Sequence, residues 1–116
     1  MKEIKAYVRH HIMAQRVIDA LVQDGISGMT VINVEAIGAE CDPQNWHISE
    51  YVQMYSRVVK LEIVCTDEEV GRFVRIIKEN GHTGFKGDGM VFVSDIERAV
   101  SIRTGKEGDE ALINID

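Results

Sequence analysis

Twice within 116 residues the apolar positions switch from a period of two to a period near 3.6 and back to two. That double switch admits few folds, because a strand with one apolar face and a helix with one apolar stripe must each bury it against a neighbour. In the first half, Ile4, Ala6 and Val8 alternate with Lys5, Tyr7 and Arg9 as a half-buried strand. Met13, Val17, Ala20 and Leu21 recur at helical spacing between Ile12 and Asp24, and Gly25 stands where a left-handed residue ends a helix. Met29 to Ile37 is rich in β-branched residues and reads as a second strand.

The second half repeats the order. Val59, Leu61, Ile63 and Cys65 share one face of a third strand. Thr66 and Glu69 have the spacing of a capping box ahead of a helix whose stripe is Val70, Phe73, Val74 and Ile77, closed by Asn80-Gly81. Met90 to Val93 and Ala99 to Arg103 read as two further short strands, and the tail from Thr104 as polar and at most partly ordered. Between the halves, Gly38 to Arg57 follows neither period and holds the only proline, Pro43, and the only tryptophan, Trp46. Compact domains rarely keep loops beyond about 12 to 15 residues without a function, so this segment reads as a recognition arm. Trp46, Tyr51 and Tyr55 within it are either partner anchors or residues that pack the arm on the body.

Two β-α-β halves with right-handed crossovers give a single α+β domain over residues 1–116: a ferredoxin-like βαββαβ sandwich with an extra C-terminal strand. Both helices then cover one sheet face. The other carries Tyr7, Ile32, Val34, Ala36 and Val64, more apolar surface than a monomer leaves in water, which predicts a homo-oligomer.

Charge narrows the partners. Thirteen basic against nineteen acidic residues give a net charge near −6, which repels nucleic acid and anionic membranes. The N-terminus lacks an apolar run of signal-peptide length, and Cys41 and Cys65 form no close pair, which together point to a reducing cytoplasm. His10 and His11 are adjacent and share no helix face, while His47 and His82 fall in loops without a carboxylate or thiolate at ligand spacing, so no metal site is expected.

Thr83-Gly84-Phe85-Lys86-Gly87-Asp88-Gly89 places three glycines in a helix-to-strand turn. Glycines let backbone N–H groups approach an anion closely, so this is either a phosphate cradle or a tight turn. It is neither a Walker loop nor a Rossmann fingerprint, which follow a strand and open a helix. Arg103-Thr104-Gly105-Lys106-Glu107-Gly108 sets an arginine beside a second glycine bend, either a phosphate ligand or a solvated tail. No nucleophile and base are paired by spacing, and no enzymatic activity is expected.

Gly25 to Val31, Glu50-Tyr51, Lys60 to Val64, Thr83 to Val93 and Arg103 to Gly108 together resemble, in order and spacing, the PII nitrogen-regulatory signalling proteins. The resemblance covers nearly the whole chain. It implies a cytoplasmic homotrimer that binds adenine nucleotide as an effector, not a cofactor, in clefts between subunits. It also implies a B-loop at about 82–90, a C-loop at about 101–109 and a T-loop at about 38–57 that contacts a regulated enzyme or transporter. The nucleotide-binding positions so implied are Thr30, Gly38, Glu62, Val64, Thr83, Gly84, Phe85, Lys86, Gly87, Asp88, Gly89 and Arg103. Tyr51 falls where some members are uridylylated, without their Arg-Gly-Ala context.

Departures from the pattern remove charge. Ala39 and Glu40 stand where the family has arginine and glutamine, Val58 and Met90 where it has lysine, and Ser101 where it has arginine. Each lost contact between a charged group and phosphate removes roughly 1.5 to 3 kcal/mol. The expectation is therefore that ADP or AMP binds at least as well as ATP and that 2-oxoglutarate has no effect. The alternatives are a trimeric metal-binding protein resembling CutA, and an enzyme acting on a phosphate compound at the Gly87 turn with Asp88 as its base.

Overall fold

The structure, a computed structural model, describes residues 1–9, 11–36, 56–84 and 88–113, with the backbone alone for 56 and 57. The described elements are β1 (Lys2–Val8), α1 (His11–Gln23), β2 (Thr30–Ala36), β3 (Ser56–Cys65), α2 (Val70–Gly81), β4 (Gly89–Asp95) and α3 (Asp109–Ile113). The strands form one sheet in the order β2-β3-β1-β4 with every neighbouring pair antiparallel. β1 and β2 are thus parallel to each other with β3 between them, and β3 and β4 flank β1 in the same way. This is the ferredoxin-like arrangement expected from the doubled pattern.

One sheet face carries Ile4, Ala6 and Val8 of β1 and Val59, Leu61, Ile63 and Cys65 of β3, all buried. Ala14, Val17 and Leu21 of α1 and Phe73 and Ile77 of α2 close over that face as a single cluster. Both helices do cover the same side. Gly25, at φ 87°, ends α1 as expected, its N–H bonded to Val22 O at 3.1 Å while Ile26 N–H reaches Leu21 O at 3.2 Å. Arg72 then ties the start of α2 to this corner through Asp24 at 2.7 Å.

Three local expectations are corrected. Thr66 and Glu69 form only half of a capping box: the Thr66 N–H (3.2 Å) and hydroxyl (3.0 Å) both donate to the Glu69 carboxylate, and α2 begins afterwards, at Val70. Ala99 to Arg103 is not a strand. Positive φ at Gly105 (74°) and Gly108 (70°) turns the chain back so that its hydrogen bonds close locally, Ser101 N–H on Lys106 O and Gly108 N–H on Ala99 O. A single bridge, Val100 to Glu107, is what remains of the extra strand. The tail is also more ordered than its polarity suggests, because Ala111 and Leu112 give α3 an apolar pair to bury.

The sheet's second face is open. Alternation and register place Ile32, Lys60, Tyr7 and Met90 in one row across it and Thr30, Glu62, Lys5 and Phe92 in the next. Its charges pair among themselves, Lys60 with Glu62 at 2.9 Å and Lys5 with Glu3 at 3.2 Å. Lys60 also sits 5.6 Å from the centre of the Tyr7 ring, which meets Phe92 edge-on at 6.0 Å. Met90 and Phe92 remain 59% and 52% exposed, adding to the apolar surface anticipated there.

Phe73, 1% exposed at the centre of the cluster, is the residue whose truncation should cost most. Phe73→Ala is expected to lose about 3 to 5 kcal/mol. Ile12→Ala, at a 76% exposed position, should stay within about 0.5 kcal/mol of the parent. Urea unfolding followed by circular dichroism measures both.

Candidate functional site

Beyond Gly81 the backbone abandons the helical conformation. His82 leaves α2 at φ −78°, ψ 125°, and Gly84 takes φ 87°, so the chain turns sharply between helix and strand. The carboxylate of Asp88 reaches back across the turn. Its Oδ2 accepts the Thr83 N–H at 2.8 Å and the Gly84 N–H at 3.2 Å, and its Oδ1 accepts the Thr83 hydroxyl. His82 Nδ1 lies 3.6 Å from Oδ2. These donors, the Thr83 hydroxyl first and then the backbone of Thr83, hold the Asp88 carboxyl below the usual carboxylate range. A carboxylate engaged in this way is a poor proton acceptor, which weakens the one base the phosphate-enzyme reading has.

Gly89 starts β4 at φ 118°, and a Cβ there would collide with the Tyr7 carbonyl oxygen. Only glycine lets β4 run this close to β1. The turn is therefore anchored twice, by the Asp88 side chain on one side and by the Gly89 backbone on the other. Beside it, a cavity of about 200 Å³ opens between the last turn of α2 and β1 and β4, with Val8, Ile77, Gly81, Lys78, His82 and Met90 in its lining. Periodicity gave no sign of this cavity, because its walls come from three elements distant in sequence.

The remaining expected residues lie elsewhere. Thr30 faces Glu62 across the β2–β3 pair, and Val64 stands two residues further on, all on the open face. Glu62 is held by Lys60, whose hydrogen bond lowers the carboxyl's pKa. Arg103 is exposed in the 101–108 turn. There, Ser101, in place of the arginine expected from the resemblance, accepts the Thr104 N–H on its hydroxyl at 3.3 Å, and Arg98 pairs with Glu107 at 2.7 Å. The seven residues of β4 separate this segment from the glycine turn, about 20 Å along the strand. A single chain therefore does not bring the two glycine segments together. Gly38, Ala39, Glu40, Trp46, Tyr51, Tyr55, Phe85, Lys86 and Gly87, with His10, Cys41 and His47, lie outside the described residues.

The stem of the long arm is described. Val59, Val8 and Gly89 align across the sheet, and β2 and β3 continue past that row to the pair Ala36 and Ser56. The arm thus leaves the sheet at the same end as the glycine turn. Among the described residues no three His, Cys, Asp or Glu side chains gather as a metal site would require, so the CutA-like alternative gains no support there. No helix among them is long and apolar enough to cross a membrane.

The family model for nitrogen regulatory protein P-II matches residues 1–106. Among curated relatives, the nitrogen regulatory protein P-II of Pasteurella multocida is 38% identical over 113 residues, 97% of this chain and 100% of the relative. That of Haemophilus influenzae is 37% identical with the same coverage. Nitrogen regulatory protein P-II 1 of Methanothermobacter thermautotrophicus is 38% identical, covering 97% of both chains.

The turn generates two expectations. Gly25→Ala, which meets open space, should cost only left-handed strain of about 1 to 2 kcal/mol, whereas Gly89→Ala adds the collision with Tyr7 and should cost clearly more. Thermal denaturation of the two variants compares them directly. The lowered Asp88 pKa also has a definite sign in stability. Its contribution is complete above the ordinary carboxylate pKa and is lost as pH falls through the folded value. The melting-point gap between parent and Asp88→Asn should therefore be widest near neutrality and close in acid.

Proposed function

The chain belongs to the nitrogen regulatory protein P-II family, whose proteins are regulatory signalling proteins rather than enzymes, and from that premise we propose that it senses adenine nucleotide. ADP or AMP binds in preference to ATP in clefts between the subunits of a homotrimer. The bound state is relayed to a regulated enzyme or transporter through the 38–57 arm. The observation that carries this reading is the separation of the two glycine segments along β4. Each half alone is a poor nucleotide site, whereas a neighbouring copy can present its Arg103 segment to the first copy's turn. The open face, with Met90 and Phe92 uncovered and its charges already paired, suits burial against such copies.

The nucleotide preference follows from charge. Met90 lines the cavity beside the turn as an apolar side chain, and the Ser101 hydroxyl serves its own turn. Val58 is buried in β3 opposite Val34. None of the three adds a positive charge for a γ-phosphate. Thr30, Glu62 and Val64 supply the wall of the cleft on the open face, and Thr83 to Gly89 the phosphate turn. Because the arm leaves the sheet at the turn's end, occupancy of the turn can bias the arm's conformation and so its partner.

Calorimetry on the intact protein is expected to give ADP and AMP a Kd no weaker than that of ATP, with no change on adding 2-oxoglutarate. Met90→Lys should recover about 1.5 to 3 kcal/mol for ATP, roughly tenfold or more in Kd. Tight Mg-ATP binding by the parent, strengthened by 2-oxoglutarate, would sink the preference while leaving nucleotide sensing in place.

A further inference from the structure

We propose that Asp88 is a positioning residue of the glycine turn and not a contact to the ligand, its carboxylate locking the turn closed so that the phosphate-binding backbone is formed before nucleotide arrives. The inference rests on the nucleotide reading above.

Three donors from the opening of the turn converge on this one carboxylate: the Thr83 N–H, the Thr83 hydroxyl and the Gly84 N–H. The two backbone donors are spent on Asp88 and so are not offered to a phosphate. The Asp88 carbonyl in turn accepts the Arg9 N–H at 3.5 Å, and Gly89 is pressed against Tyr7, so the lock is fastened to β1. A carboxylate is an unsuitable direct contact for a phosphate, since like charges repel. It is well suited to tying down amides, because charge-assisted hydrogen bonds are stronger than neutral ones. Closing the turn in advance removes an ordering cost that binding would otherwise bear.

Asparagine and alanine separate the alternatives. Asparagine keeps the shape: its carbonyl oxygen accepts the two N–H groups and its amide donates to the Thr83 hydroxyl. Alanine removes the lock and also removes a negative charge near the phosphate. On charge alone Asp88→Ala should tighten ADP binding, whereas loss of the lock should weaken it.

Calorimetry with ADP and with adenosine on parent, Asp88→Asn and Asp88→Ala, together with hydrogen exchange at the Thr83 and Gly84 amides, makes the test. The expected result is that Ala weakens ADP by about tenfold or more while adenosine is unchanged, that both amides lose protection in Ala, and that Asn restores ADP affinity and protection. Unchanged or tighter ADP binding in Ala overturns the inference, as does equal loss of adenosine, which would mean general disruption. Failure of Asn to restore ADP affinity while the amides stay protected points to a direct role for the charge and overturns it as well. If the parent binds no ADP, the nucleotide reading itself fails, and this inference with it.

Discussion

Everything in this chain hangs on one sheet face being closed by two helices. Phe73 and Ile77 from α2 and Val17 and Leu21 from α1 meet the inward residues of β1 and β3, and the cluster takes in nearly every fully buried side chain. Because alternation sends every second strand residue to the other side, closing one face necessarily leaves the opposite face uncovered in a single chain. The apolar surface of Tyr7, Met90 and Phe92 follows from the fold rather than being an addition to it. The same closure fixes where α2 must end, and hence where the chain has to turn back into β4.

That turn is where packing and recognition meet. Its two anchors differ in kind: Gly89 is required by the closeness of β4 to β1, and Asp88 by the donors left over where α2 gives way to an extended residue. A loop pinned at both ends loses less freedom on binding than a loose one. In this chain the economy matters more than usual, since the positions that would add cations, 58, 90 and 101, hold Val, Met and Ser. A proposed site that relies on backbone and a few charges discriminates against the most highly charged ligand, which is why the nucleotide preference and the family departures are one statement.

The placement of the stem of the arm gives the signalling proposal a physical route. β2 and β3 run past the row containing Gly89, so the arm's stem and the turn share one end of the sheet, with the Arg103 segment at the other. A bound ligand and the arm can influence each other over a short distance, while completion of the site calls on a second copy.

The strand and helix periods, with Gly25 as a stop, were enough to place six of the described elements, and the doubled pattern was enough for the ferredoxin-like order, because burial of one face leaves a mark on every second or every third and fourth residue. The glycine motifs were legible as well, since only particular residues tolerate such backbone. The 99–103 segment misled, because its alternation matches a strand, yet two positive-φ glycines close its hydrogen bonds within itself. Nothing in the order of residues revealed that Asp88 faces inward on the turn, that a cavity opens beside Met90, or that the two glycine segments stand a strand's length apart. Local preference is written along the chain and can be read there. Which distant residues meet is decided only when the helices close on the sheet, since that closure sets every distance between elements at once.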